Sequence, residues 1–202
     1  MYSYPSALAS YPNFNINLGK IRYARLLIIA SFEKIEDMYT KKFEIRWSDL
    51  DANRHLANSA FINFMSHTRM SFLMDNGFGQ KQLSHYNLGP IVFYEHIYYF
   101  KEIFAGEPVT VSLELSGLSE DGMYFEFVHK IYDHNGKNCA TCEMMGSWID
   151  LEKRKLTVLP EELYYKLDHT PKSEDFRILT KEDTRKYGKR PQDITPEEVN
   201  AM

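Results

Sequence analysis

Between residues 42 and 47 the chain alternates charged and apolar side chains, Lys42-Phe43-Glu44-Ile45-Arg46-Trp47. Successive side chains of a strand point to opposite faces, so this period of two predicts a half-buried strand. The period then changes. Phe61, Phe64, Met65, Phe72 and Leu73 recur at helical spacing, which predicts one long helix over residues 58–76, with Asn58 and Ser59 as caps and an end at Gly77. Alternation resumes over residues 91–100, 109–117, 123–132 and 138–151, giving four further strands. Their joints are turn-like: Glu120-Asp121-Gly122 separates the second and third, and His134-Asn135-Gly136 carries the Asn-Gly hairpin signal before the fourth. A strand, a long helix and then four strands is not the alternating order of a parallel α/β sheet. It predicts an α+β domain, an antiparallel sheet with one helix against its face.

The flanks read differently. The first 17 residues are rich in Tyr, Ser, Pro and Asn and form a loose leader. Residues 18–32 place Leu18, Ile21, Ile28 and Phe32 near one helical stripe beside Lys20, Arg22 and Arg25, a basic amphipathic helix suited to its own domain or, as a weak contact, to a membrane surface. After Pro160 comes a short helix over 160–167 and then a charged, solvated tail, in which Thr195-Pro196-Glu197-Glu198 starts one more helix. The domain organisation is therefore an extension over 1–40, one core domain over 41–167 and a tail over 168–202.

Composition narrows the function. A net charge of −4 offers no electrostatic footprint for nucleic acid. No apolar run reaches the roughly 20 residues of a membrane-spanning helix. Cys139 and Cys142 are the only cysteines, which suits a reducing cytoplasm; without a second pair they read as ordinary strand residues rather than half a zinc site. No metal or cofactor motif is present.

Chemistry concentrates in residues 47–58, Trp47-Ser48-Asp49-Leu50-Asp51-Ala52-Asn53-Arg54-His55-Leu56-Ala57-Asn58. This connection holds two carboxylates, a histidine and two asparagines, and leads into a helix N-terminus, whose free N–H groups favour an anion or a polarised carbonyl oxygen. A carboxylate held there attacks a carbonyl or activates water. The plain alternative is that Asp49 and Asp51 are turn and capping residues and His55 simply packs.

The segment resembles the Asp-x-Asp-x-x-(Gly)-His-x-(Asn)-Asn signature of the 4-hydroxybenzoyl-CoA thioesterase-like branch of the hotdog superfamily. It is closer still to the Trp-x-Asp-x-Asp-x-Asn-x-His stretch of plant-type acyl-ACP thioesterases. The resemblance extends more weakly over residues 41–167. It implies a hotdog fold, a five-stranded antiparallel sheet wrapped around one long central helix, and hydrolysis of an acyl-CoA or acyl-ACP thioester in fatty acid metabolism, without a cofactor. It implies that Asp51 is the nucleophile or general base and that Asn53 and His55 assist. Tyr99-Phe100-Lys101-Glu102-Ile103 matches in part the Tyr-Arg-Arg-Glu-Cys stretch of the plant enzymes, which nominates Glu102; Ile103 replaces the Cys, so no thiol chemistry follows. Arg54 stands at the Gly of the bacterial signature, Ala57 at its first Asn and Phe61 at a frequent Tyr.

On this reading the thioester carbonyl meets the helix start, with Asn58, Ser59, Phe61 and Arg54 as substrate-binding candidates and an apolar acyl channel along residues 91–100. Hotdog relatives pair their sheets, so a homodimer or dimer of dimers is expected. Two rivals stand beside it. A hotdog hydratase lacks its motifs here, whereas a non-catalytic module that binds an acyl thioester or a protein partner is compatible with Arg54, Ala57 and Phe61.

Overall fold

A computed structural model describes residues 38–201, so the leader and the amphipathic helix expected over 18–32 lie outside the described residues. The sheet is built from β1 (Tyr39–Phe43), β2 (Leu88–Tyr99), β3 (Val109–Leu118), β4 (Tyr124–Tyr132) and β5 (Asn138–Asp150), in the order β1-β3-β4-β5-β2 and antiparallel throughout. The long helix α1 (Asn58–Asp75) packs on one face. This is the expected α+β hotdog architecture.

Two short strands extend it. β6 (Lys155–Thr157) pairs with the end of β5, and β7 (Lys172–Ile178) runs parallel to β3. The segment expected as a solvated tail therefore departs from that expectation between 172 and 188. Its reason is local: Arg177 pairs with the buried Glu126 at 3.1 Å and with Asp183, while Lys186 pairs with Glu143 at 2.6 Å. Charges that read as solvation in one dimension are partners in three. Among the described residues three shorter helices follow, α2 (Gln80–His85), α3 (Glu161–Asp168) and α4 (Pro196–Asn200).

α1 buries Phe64, Met65, Phe72 and Leu73 almost completely, each contributing about 1.5–3 kcal/mol by leaving water. Phe43 stacks on Phe64 at 4.7 Å, and the Tyr39 hydroxyl donates to Asp75 at 2.7 Å, fastening β1 to the helix. The helix stops where Gly77 takes φ +84°. There Phe78 N–H donates to Leu73 O and Gly77 N–H to Met74 O, the paired bonds that satisfy a helix's last carbonyls.

Some expected boundaries move. The first strand ends at Phe43 rather than Trp47, because Asp49 takes the Arg46 N–H and winds Trp47–Asp49 into a 3-10 turn that leaves Trp47 84% exposed. The cap of α1 is Ala57, not Asn58 or Ser59. Cys139 and Cys142 are buried free thiols, and burial pushes the Cys142 thiol up to about 12.

One polar cluster lies inside the apolar layer between α1 and the sheet. Arg69 Nη2 donates to Glu95 at 3.0 Å and its Nη1 lies 3.3 Å from His129 Nε2, while His129 Nδ1 lies 3.2 Å from Ser112 O. A guanidinium only donates and a carbonyl only accepts, so Nε2 is the acceptor and Nδ1 carries the proton. Complete burial, and then the Arg69 charge, lowers the His129 pKa to about 3, which keeps the ring neutral.

Candidate active site

Residues 50–56 form a closed loop between the 3-10 turn and α1. Leu50 and Leu56 bridge its base, Asp51 N–H donates to His55 O at 2.8 Å, and Arg54 N–H donates to Asp51 O at 3.0 Å. Inside the loop Asp51 Oδ1 accepts the N–H groups of Asn53 at 2.8 Å and His55 at 3.0 Å. Short polar side chains that bond the backbone two residues on are what stabilise such turns. The other carboxylate oxygen has no partner among the described residues, and Asp51 is solvent-exposed. Asp51 is thus a turn residue that keeps one carboxylate oxygen open to solvent.

Arg54 holds φ +64°, a left-handed conformation that glycine adopts at far lower cost. A backbone requirement explains why a glycine suits this position of the signature. The Arg54 side chain is exposed and without a partner among the described residues.

The connection after β2 completes the cluster. Leu56 N–H donates to Ile103 O at 2.8 Å, and His55 bridges Phe104 with their rings edge to face at 4.7 Å. This brings Glu102 Oε2 to 3.5 Å from His55 Nε2. Asp51, Asn53, His55 and Glu102 therefore gather within one chain. A cavity of about 350 Å³ adjoins the cluster, with Glu102, Phe104, Glu107 and His134 among its walls.

Beneath the loop Asp49 is 6% exposed and holds Arg46 through 3.0 Å bonds to Nε and Nη2. That guanidinium keeps the Asp49 carboxyl below the ordinary carboxylate range. Asp49 O also accepts Ala57 N–H at 2.8 Å, fixing the entry to α1. The first aspartate is a brace, and the second faces solvent.

At the start of α1, Ala60 N–H and Phe61 N–H donate to Ala57 O, and Ser59 N–H donates to the side chain of Asn58 at 2.8 Å. Asn58 N–H has no acceptor among the described residues. Asn58 and Ser59 are exposed, whereas Phe61 is buried against the edge of Tyr99 at 5.2 Å. Phe61 thus forms the floor behind the exposed Tyr99 rather than an open wall.

Phe104 and the backbone contact of Ile103 could not be foreseen, because residues 104–108 carry neither period nor motif and the partial match at 99–103 concerns side chains only. Among the described residues no group of His, Cys, Asp and Glu forms a metal-binding cluster, and no helix is long and apolar enough to cross a membrane.

Solved structures share the fold. A hypothetical protein from Staphylococcus aureus in complex with CoA superposes with a TM-score of 0.63 at 18% identity, covering 78% of this chain and 96% of that one. A 1,4-dihydroxy-2-naphthoyl-CoA thioesterase from Synechocystis gives 0.59 at 16% identity, over 65% and 96% of the two chains. A probable thioesterase from Escherichia coli gives 0.56 at 20% identity, over 66% and 99%. No curated protein sequence matches the chain significantly. The family model of the thioesterase-like superfamily matches residues 45–167, more than half of the chain and spanning the loop, α1, strands β2 to β6 and nearly all of α3; the chain belongs to the thioesterase-like superfamily.

Proposed function

We propose that the protein hydrolyses an acyl-CoA thioester, or its acyl-ACP counterpart, to a free carboxylic acid and a thiol. The observation that carries this is the Asp51 carboxylate, pinned through one oxygen by two backbone N–H groups and open at the other, at the entrance to α1 beside the His55–Glu102 pair. Membership of the superfamily supports thioester hydrolysis in general, and the CoA bound to the S. aureus relative supports a CoA carrier. The likeness of residues 47–55 to plant-type acyl-ACP thioesterases keeps the protein carrier in view.

The carbonyl oxygen of the thioester accepts from the free N–H of the first turn of α1, where Asn58 N–H is open and Ser59 N–H becomes open once the Asn58 side chain swings away. Such preorganised donors each supply about 3 kcal/mol of transition-state stabilisation. Asp51 then acts by one of two routes. It attacks the carbonyl carbon, expelling the thiolate and leaving an anhydride that water opens, or it takes a proton from the water that attacks. Asn53 and His55 orient the thioester or the water, with Glu102 steadying the imidazole. Arg54, exposed beside the loop, meets solvent or a phosphate of the carrier.

β2 is a twelve-residue edge strand exposing Val92, Tyr98 and Tyr99, with Phe100 exposed just beyond its end. An unpaired apolar edge of this length favours a second copy, which supports a homodimer or a dimer of dimers. Acyl-CoA and acyl-ACP panels, followed by thiol release, test the activity. Wild type releases thiol and Asp51→Asn loses at least about a hundredfold in kcat/KM; full activity in Asp51→Asn overturns the role of Asp51.

A second reading, a module that binds acyl thioesters without turnover, draws on the Ser59 N–H already being closed by Asn58. Binding of acyl-CoA with no thiol release across both panels would select it.

A further inference from the structure

The face of the sheet opposite α1 carries a second recess. β2 slips register between Val92 and Tyr94, so Phe93 is an extra, unpaired residue. Bulges re-aim side chains, and here Phe93 joins its neighbour Tyr94 on the small cluster of Tyr124, Met145 and Leu179, away from the main core. Regular alternation would have sent Phe93 and Tyr94 to opposite faces. The bulge therefore sets an extra aromatic ring on the outer face, 6.4 Å from the ring of Tyr124.

Phe93, Tyr124 and Leu156 form the apolar floor of a groove of about 540 Å³, and Lys181, Arg185 and Arg190 rim it. None of these three cations forms a salt bridge among the described residues, although the charge of Lys181 reaches its neighbour Glu182. The contrast with their own segment is instructive, because Arg177 is held by Glu126 and Asp183, and Lys186 by Glu143. The single carboxylate of the rim, Glu182, is held mainly by its own N–H and by Thr180, and only then by the charge of Lys181, all of which lower its pKa; Arg185 and Arg190 are left to a ligand.

An apolar floor under cations that form no salt bridge suits a ligand that joins a ring to several negative charges. Ring faces stack on aromatic side chains and attract guanidinium groups, which also fork onto phosphate oxygens. The volume lies within the roughly 300–1,000 Å³ of small-molecule sites. We propose that this groove binds a nucleotide, with its ring on Phe93 and Tyr124 and its phosphates on Lys181, Arg185 and Arg190. The site is separate from the Asp51 cluster, because α1 and that loop's helix junction lie on the other face of the sheet.

Calorimetric titration of the full-length protein with ADP, pyrophosphate and adenosine tests this. ADP binds tightest, and the exposed triple variant Lys181→Ala/Arg185→Ala/Arg190→Ala weakens it by at least about tenfold. Phe93→Ala weakens ADP while leaving pyrophosphate unchanged. Unaltered ADP affinity in the triple variant puts the nucleotide elsewhere and overturns the proposal. So does pyrophosphate binding as tightly as ADP, or no binding of ADP at millimolar concentration.

Discussion

His55 Nε2 and Glu102 Oε2 stand 3.5 Å apart, brought together because His55 bridges Phe104 and Leu56 N–H donates to Ile103 O. Two backbone contacts thus align a loop before α1 with the connection after β2. If the imidazole and carboxylate act as one unit, His55→Ala and Glu102→Gln each lower kcat/KM, and the double variant loses less than their sum. A coupling of about 0.5–3 kcal/mol is expected for groups in contact. Strictly additive losses in the double-mutant cycle would dissolve the unit.

The left-handed backbone at Arg54 gives a prediction free of chemistry. A non-glycine residue there costs about 1–2 kcal/mol, partly offset by the entropy glycine loses on folding. Arg54→Gly should therefore stabilise the protein by about 0.5–1 kcal/mol in urea unfolding, and the branched Arg54→Val should destabilise it. An unchanged KM in Arg54→Gly assigns the side chain to solvent, whereas a raised KM for CoA thioesters assigns it to the carrier phosphate.

His129 makes stability depend on pH. An unfolded histidine titrates near 6.5, whereas the buried ring titrates at about 3. Between these values the unfolded chain takes up a proton that the folded chain refuses, so stability is full above about 6.5 and falls as the pH drops, by roughly 1.4 kcal/mol per unit. Urea midpoints measured from pH 7 to pH 5 should show that slope. His129→Gln, which still accepts from Arg69 and donates to Ser112 O, should flatten it; an unchanged slope would place the titrating group elsewhere.

Glu126 and Arg177 offer a fourth test. Glu126 is 3% exposed and accepts from Tyr94, Ser116 and Arg177. Arg177→Leu strands a buried carboxylate and should cost about 3 kcal/mol, while adding Glu126→Leu should restore part of it. Proteolysis between residues 172 and 188 should quicken in the single variant and slow again in the double.

The two periods of hydrophobicity made the main elements legible, because α1 and the five longer strands each turn one apolar face to a shared core. Boundaries were less legible where polar side chains capture backbone groups. Asp49 ends the first strand by taking the Arg46 N–H, which no alternation of Ile45 and Trp47 reveals. Within the site, Asp51, Asn53 and His55 are neighbours in sequence, so their clustering could be read directly. Their meeting with Glu102 depends on Ile103 and Phe104, whose backbone bridges any residues could make and whose one side-chain contact, the Phe104 ring on His55, shows no pattern in one dimension. Arg69, Glu95 and His129 were invisible for a similar reason: each sits alone on its own element, and only packing joins them.

The edge of β3 is shared end to end, with β1 covering Val109 to Leu113 and β7 covering Leu115 to Leu118. One of these strands precedes the helix and the other follows almost the whole sheet. During synthesis on the ribosome, a nascent chain released only as far as residue 171 has a half-covered β3 and a Glu126 still waiting for Arg177. The sheet is closed by the last of its described strands to emerge, and the interval before it arrives is when this protein most needs shielding from its neighbours.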